Sequence, residues 1–221
     1  FETKHYSKAD VKVLGAFTKG EKVQLTWSDK DLAKTLPTLK AAKHFKGAAG
    51  THLTFTGPDQ ETVVVVGLGE KTKAKAEGIR RATAAAYKIV AGTKYDSVVF
   101  DIASFNAVSK LDVTAGLVHE AIQMTAYSFD KHLAKKTENS FKDICLYVND
   151  KKVKKSVEKI QTQTENVTSS INFMRDLCNE APNILHSEEY AERIEKDVKS
   201  ALKGKGVKVK VLGMKELKQE N

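Results

Sequence analysis

A run of four valines constrains the fold of this chain more than any other feature. The segment TVVVV (62–66) is apolar at nearly every position, so the strand that it predicts must be covered on both faces. Apolar residues at helical spacing follow over 73–91, and Gly92 is a natural helix terminator. SVVFDI (97–102) predicts another buried strand. Buried strands that alternate with amphipathic helices indicate an α/β fold, with helices on the faces of the sheet.

Shorter patterns complete the first 150 residues, which we interpret as one domain. Further strands are predicted at 10–17, 21–26, 51–56 and 144–148, and a short helix at 29–36. Ser109 and Asp112 have the spacing of a capping box and predict the start of another helix.

The pattern changes after residue 150. Positions in steps of four and three form one stripe: Val157, Ile160, Thr164, Val167, Ile171, Met174 and Cys178. This stripe predicts a single helix of roughly 40 Å at 1.5 Å per residue, which is too long for a crossover inside a compact domain. We therefore interpret 151–180 as a connector helix whose narrow apolar seam packs against a neighbour.

The last forty residues predict one more helix and one more strand. Pro182 breaks the connector, Ser187 is placed to cap the helix, and VKVKVLG (207–213) alternates like a strand. One helix and one strand cannot close a core alone. Either 181–221 docks onto the first domain, or it begins a second domain, and the long connector favours the second interpretation.

Charge, cysteines and hydropathy narrow the class of protein. The formal net charge is +9, but only four residues are arginines, and the lysines lack the interleaved aromatics of a single-strand binder. We interpret them as a solvated surface, and a DNA-binding face is the less favoured alternative. Cys145 and Cys178 form no CxxC and are expected to be reduced core thiols of a cytoplasmic protein. No apolar run is long enough for a membrane span, and no signal-peptide pattern is visible.

The residues alone identify no catalytic, metal-binding or cofactor-binding site. The segment Gly67-Leu68-Gly69 follows a buried strand, but a dinucleotide fingerprint needs a third glycine where Thr72 stands. We interpret it as a structural turn. His119 and Glu120 begin an HExxH pattern, but position 123 is Gln, so His119 is expected to be an ordinary helix-surface residue.

The segment NFMRDLCNEAPN (172–183) concentrates polar groups just before the proline break. We interpret four of its residues as a candidate interdomain hinge: Arg175, Asn179, Glu180 and Asn183.

The same segment carries a family resemblance. RDLCNEAPN followed by HSEEYAERI is similar to a segment of leucyl aminopeptidases, the cytosolic two-metal exopeptidases. Five further stretches resemble that family in the same order: HFKGAAG (44–50), VVVVGLGEK, EGIRRATAAAYKIV, AYSFDKHLAKK (126–136) and KVKVLGMKEL. Ala181 departs from the family, which usually has proline there.

The resemblance implies a fold and an activity. It implies a macro-domain-like mixed sheet flanked by helices, then the connector and the start of a catalytic domain. An intact member removes N-terminal residues, Leu preferred, from peptides with two divalent metals (Zn or Mn) that activate a water. Members assemble as homo-hexamers, and some bacterial members bind DNA.

The family's metal ligands and catalytic residues would lie beyond residue 221, so none can be placed on this sequence. We therefore expect a non-catalytic N-terminal part, inactive alone, that serves assembly or regulation. The alternatives are a macro-like ligand-binding module, a weak electrostatic DNA-binding module, and a processed fragment with a separate role.

Overall fold

The structure is a computed structural model that describes residues 6, 8–36, 40–93, 95–107, 110–135, 141 and 143–219. The chain divides into a first unit, Phe1–Ser170, and a second unit, Ile171–Asn221. Ser109 of the expected capping box lies outside the described residues. None of the described helices combines the length and the apolarity that crossing a bilayer requires.

The first unit is built on a mixed six-stranded sheet. Its strands are β1 (Val11–Lys19), β2 (Lys22–Gln24), β3 (His52–Thr56), β4 (Thr62–Glu70), β5 (Ser97–Asp101) and β6 (Asp143–Tyr147). The order is β3-β4-β1-β5-β6, and β2 pairs with the end of β1. The neighbours β4, β1, β5 and β6 are parallel, whereas β3 runs antiparallel to β4. The expected mixed sheet is confirmed.

Helices cover both faces of this sheet. They are α1 (Lys30–Thr35), α2 (Ala76–Ala91), α3 (Ile102–Phe105) and α4 (Leu111–Ala126), with short 3-10 turns at Lys40–His44 and Lys71–Lys73. Val64 and Val66 pack into the cluster that contains α2 and α4 residues. Val63 and Val65 pack on the other face, in the cluster that contains Trp27 and α1. The four valines are therefore buried on alternate sides, as the sequence predicts.

The connector is one helix, α5 (Lys154–Asn179), of 26 residues. Its start packs as expected, because Val157 is fully buried in the core of the first unit. The predicted seam is wrong further along: Thr168 is 1% exposed, whereas Val167 is 58% exposed. The seam was spaced at 3.5 residues per turn, but a straight helix has 3.6, so the buried line drifts around the helix by about 20° per heptad.

The second unit contains the end of α5, then α6 (Ser187–Ala201) and α7 (Met214–Gln219). Ser187 is the first helical residue rather than the cap, a position that His186 takes without a side-chain hydrogen bond. The predicted strand at 207–213 is wrong, since these residues join no sheet in the described part of the chain. Alternation alone is not sufficient for a strand, because its backbone groups need a neighbouring strand.

Candidate functional site

The glycine segment belongs to β4 and is not the turn that the sequence suggested. The strand continues through Gly67 and Gly69, and both residues pair with β1. The N–H of Gly67 donates to the carbonyl of Thr51 at 2.8 Å, and the N–H of Gly69 donates to the carbonyl of Gly47 at 2.8 Å. A phosphate would need these N–H groups, and the loop before β3 already bonds them. The geometry therefore supports the structural interpretation.

Both glycines are required by close backbone approach or by backbone angle. A Cβ at Gly67 would lie 2.0 Å from the carbonyl oxygen of Ala48, which is part of the backbone and cannot swing away. Gly69 has φ of +75°, in the left-handed region that L side chains rarely adopt. The two positions are thus fixed by the fold itself.

The crevice between the carboxyl ends of β1 and β5 is where an open α/β sheet usually binds a ligand. The crossovers that leave these two strands run in opposite directions, which is the arrangement that opens such a crevice. β5 pairs only with Val11–Val13 of β1, so the backbone of Gly15 is left for other partners. Its N–H donates to Ser104 Oγ at 2.8 Å, and its carbonyl accepts from Trp27 Nε1 at 2.7 Å. The protein's own side chains fill this crevice.

Asp101 closes the same crevice from the end of β5. One carboxylate oxygen accepts from the backbone N–H of Ser28 at 2.7 Å, and the other accepts from the Ser28 hydroxyl at 2.8 Å. The second oxygen also caps α3 through the N–H of Ala103 at 3.2 Å. Burial raises the pKa of Asp101 to about 6 against the lowering effect of these hydrogen bonds. The carboxyl group ties a loop to the sheet and does not face an open cleft.

A buried ion pair joins the amino ends of β1 and β4. Lys12 Nζ lies 2.9 Å from Glu61 and 3.6 Å from Asp29, and both Lys12 and Glu61 are buried. The Lys12 ammonium also lies 4.9 Å from the centre of the Tyr6 ring. Burial, and then the charge of Asp101, raises the pKa of the Tyr6 hydroxyl. Lys12, Glu61 and Tyr6 are buried and only Asp29 is partly exposed, which suits a structural rather than a catalytic role.

Histidine and cysteine side chains do not assemble into a site. Within the described ranges, no group of three or more His, Cys, Asp and Glu side chains is placed to hold a metal. His119 is half-buried rather than on the surface, and burial lowers its pKa. Its Nε2 lies 3.2 Å from the side-chain nitrogen of Gln123. The expectation of a surface histidine is wrong because residues from α5 lie close to it, as the influence of Glu165 on its pKa indicates.

The two cysteines are free, as expected, but they are not both core residues. Cys145 is half-buried in β6, and burial raises the pKa of its thiol. Cys178 is exposed near the end of α5, so the expectation of a core thiol is wrong there. At this end of α5 the buried residue is Leu177, which is 5% exposed, and residue 178 lies about 100° further around the helix, on an exposed side.

The four candidate hinge residues lie at the junction of α5 and α6. Glu180 is buried and pairs with Arg193 of α6 at 3.1 Å, which joins the end of one helix to the next. Arg175 donates to the side chain of Asn172 at 3.2 Å. Asn179 ends α5, and Asn183 is exposed in the turn that follows. Glu180 therefore bridges two helices, and the interdomain role of the four residues stays a prediction.

Local sequence patterns do not predict which residues fill the crevice. Ser28, Ser104 and Trp27 come from separate segments and meet only through the fold. The one local signal was Asp101, a charged residue that directly ends the apolar run SVVF.

Residues 13–136 match the N-terminal domain of the cytosol aminopeptidase family, which is more than half of the chain. The chain belongs to the cytosol aminopeptidase family. The resemblance found in the sequence is thereby confirmed.

Curated relatives of this aminopeptidase family agree over most of the chain. A probable cytosol aminopeptidase of Persephonella marina is 28% identical over 196 residues, which are 85% of this chain and 39% of the relative. One from Clostridium tetani is 27% identical over 211 residues, which are 95% of this chain and 41% of the relative. The chain thus spans about two-fifths of the length of these relatives.

Two solved structures share the fold. A mutant of tomato leucine aminopeptidase superposes with a TM-score of 0.76 at 17% identity, over 96% of this chain and 43% of that one. The bottromycin maturation enzyme BotP superposes with a TM-score of 0.71 at 19% identity, over 96% of this chain and 41% of its own.

Proposed function

We propose that this chain is the non-catalytic N-terminal part of a leucyl aminopeptidase. The intact protein would remove N-terminal amino acids, Leu preferred, from peptides by two-metal hydrolysis in the cytoplasm. The observation that carries the proposal is the match of residues 13–136 to the N-terminal domain of the family. The names of the relatives, which are probable cytosol aminopeptidases, support the peptide substrate.

The two divalent metals, Zn or Mn, are assigned to the remainder of the aminopeptidase. The described residues do not fit such a site, since they hold no cluster of potential metal ligands. A second structure of BotP, solved in complex with Mn, superposes with a TM-score of 0.65, and its bound Mn supports a metal-dependent family chemistry. The hydrolytic steps are therefore assigned to the remainder of the protein as well.

We assign this part of the protein to assembly or regulation, within a homo-hexamer in the intact form. In its described residues the second unit exposes eight large apolar side chains, and we propose that they pack against other protein. They are Ile171, Met174, Ile184, Tyr190, Val207, Val211, Met214 and Leu217. The pair Glu180–Arg193 supports the hinge proposal, because it would hold the junction of α5 and α6 while adjoining parts move.

The alternative functions have less support. The crevice that a macro-like ligand would enter is filled by Trp27 and Ser104. The net charge of +9 still favours weak electrostatic DNA binding, but the positive residues are mostly lysines dispersed along the chain.

Cleavage of Leu-p-nitroanilide tests the proposed function. The purified 221-residue chain should release no nitroaniline with or without added Mn²⁺ or Zn²⁺, because a two-metal hydrolase needs carboxylates that converge on both ions. A longer protein that includes the downstream coding sequence should cleave the substrate, and a chelator should abolish that activity. Metal-dependent turnover by the 221 residues alone, free of contaminating peptidase, would contradict the proposal.

A further inference from the structure

Strand β3 forms one edge of the sheet, and among the described residues no other strand pairs with the backbone groups on its outer side. Alternate residues of an antiparallel pair exchange both of their hydrogen bonds. The bonds Gly67 N–H to Thr51 and Gly57 N–H to Glu61 fix this alternation at the two ends of the β3–β4 ladder. Leu53 and Phe55 therefore bond to β4. The N–H and C=O groups of the remaining residues point outward: His52, Thr54 and Thr56.

This edge lacks the usual protection against pairing. Sheet edges are normally blocked by lysine, proline, a bulge or a covering segment. β3 contains no lysine and no proline, and its register with β4 runs without a shift from His52 to Thr56. In the described part of the chain, the one strand that pairs with β3 is β4. The outer edge is thus a template for another extended chain.

An apolar groove reaches the same edge at His52, between α2 and the segment that leads into β3. Its volume is about 320 Å³, at the low end of the range for ligand-binding clefts. Small side chains leave the space open, and a Cβ at Gly78 would meet no atom within 4 Å. The lining includes His52 as its one residue from β3, the end of β4, and residues before β3 and on α2: Gly50, Gly78, Arg81, Ala82 and Ala85. Side chains on the outward-bonding residues face this side, because Leu53 and Phe55 pack on the opposite face.

Arg81 gives the groove a positive rim. Its side chain is 80% exposed and pairs with Glu77 one helical turn away. Such exposed ion pairs contribute little to stability, so a carboxylate from a binding partner can compete with Glu77 for the guanidinium. Arg80 differs from Arg81 because its guanidinium forms an ion pair with the carboxylate of Glu120 in α4, at an N–O distance of 2.8 Å. The edge therefore offers outward-facing backbone groups, and the groove at its His52 end adds apolar space and an accessible positive charge.

We propose that β3 and α2 together bind an extended peptide segment, which adds to the sheet as a further strand. Its backbone bonds to His52, Thr54 and Thr56, an aliphatic side chain beside His52 enters the groove, and an acidic residue meets Arg81. This inference goes beyond the proposed function, which assigns no ligand to the first unit.

Backbone methylation of the peptide tests the strand addition directly. The probe is a fluorescein-labelled hexapeptide, Thr-Val-Thr-Val-Thr-Glu, in which the two valines and the glutamate share one face of the strand. It is made in three forms: unmodified, N-methylated at residues 1, 3 and 5, or N-methylated at residues 2, 4 and 6. Only every second N–H of an added strand faces β3. One methylated isomer should bind at least tenfold more weakly than the other by fluorescence polarisation. Equal binding of the two isomers, or no binding of the unmodified probe at 1 mM, would overturn the proposal.

Variants of the protein locate the binding site. Thr54→Pro removes an outward N–H, which edge strands tolerate, and should weaken binding at least tenfold, whereas Thr54→Val should retain it.

Gly78→Leu should fill the groove and weaken binding, with Gly78→Ala as the matched control. Arg81→Glu should weaken binding of the probe but not of its Glu-to-Gln form. The amide resonances of residues 52–56 should shift on binding. Retained affinity in both Thr54→Pro and Gly78→Leu would overturn the assignment.

Sedimentation of the peptide-free protein tests whether a second copy of the chain, rather than a peptide, occupies the β3 edge. The proposal expects no self-association through β3. Concentration-dependent dimerisation that Thr54→Pro abolishes would show that a second copy of the chain occupies the edge, and the peptide proposal would then be wrong.

Discussion

The Asp101 carboxyl binds its proton more tightly in the folded chain than in the unfolded chain. It is fully buried, and burial raises its pKa from 3.8 to about 6 despite hydrogen bonds from Ser28 and Ala103. The stability that this raised pKa contributes is fully present below the unfolded value. It is lost as the pH rises through 6.

Asp101→Asn should remove this pH dependence. The free energy of unfolding of the wild type, minus that of the variant, should fall by about 2 kcal/mol between pH 4.5 and pH 7.5. Urea titrations at both values measure it. Asp10→Asn is the matched control, because hydrogen bonds from Ser97 lower the pKa of Asp10. The ionised Asp10 stabilises the folded chain at pH values above its unfolded pKa. The difference in unfolding free energy between the wild type and Asp10→Asn should therefore rise with pH, opposite to that for Asp101. Parallel profiles for the wild type and Asp101→Asn would show that burial does not shift this pKa.

Two glycine substitutions separate backbone strain from steric conflict. Gly69→Ala should cost about 1 kcal/mol, since its φ of +75° disfavours any L side chain. Gly67→Ala should cost more, because its new Cβ would meet the backbone oxygen of Ala48 at 2.0 Å. Urea denaturation gives both values. Calorimetry should detect no micromolar binding of ATP or ADP-ribose by the wild type. Such binding, if lost in a folded Gly69→Ala variant, would restore the phosphate-loop interpretation.

At the level of elements, the sequence correctly predicted the helices and strands whose buried faces follow from the local pattern of apolar residues. TVVVV became a central strand because apolar side chains on both faces leave few other solutions. The segment 207–213 had strand alternation but no partner, so the prediction failed. The α5 seam was correct near Val157 and wrong from Val167 onward, because small errors in period accumulate along a long helix. The crevice around Gly15 depends on three distant segments, and no local pattern encodes such a meeting.

The contact between α4 and α5 depends on Gly116. A Cβ there would lie 2.6 Å from Ile160 Cγ2, so the two helices approach closely only because the side chain is absent. Gly116→Leu should destabilise the first unit by about 1–3 kcal/mol through overpacking.

Ile160→Ala in the same chain should relieve part of that cost, and thermal denaturation of the four proteins completes a double-mutant cycle. Gly78→Ala is the control, because its Cβ meets no atom and the helix should gain about 0.5–1 kcal/mol. Strictly additive costs for Gly116→Leu and Ile160→Ala would mean that the two side chains do not compete for one space.

At the scale of the whole molecule, the two units differ in how much core they contain. The first unit buries both faces of β4 and most of β5, whereas α6 and α7 bury none of their side chains. Local opening is easiest where few apolar contacts must be broken. Hydrogen exchange of the 221-residue chain should therefore be slowest at 62–66 and 97–102 and among the fastest at 187–219.

Mass spectrometry of peptic fragments measures these rates, with the fully unfolded chain at the same pH as the reference. Repeating the measurement on the longer protein that the proposed function implies separates the two sources of protection. The remainder of the protein should slow exchange at 187–219 and leave 62–66 unchanged, because only the second unit lacks a core of its own. If α6 in the short chain is protected as strongly as β4, the second unit is stable by itself. Its exposed apolar side chains would then need an explanation other than packing against the rest of the aminopeptidase.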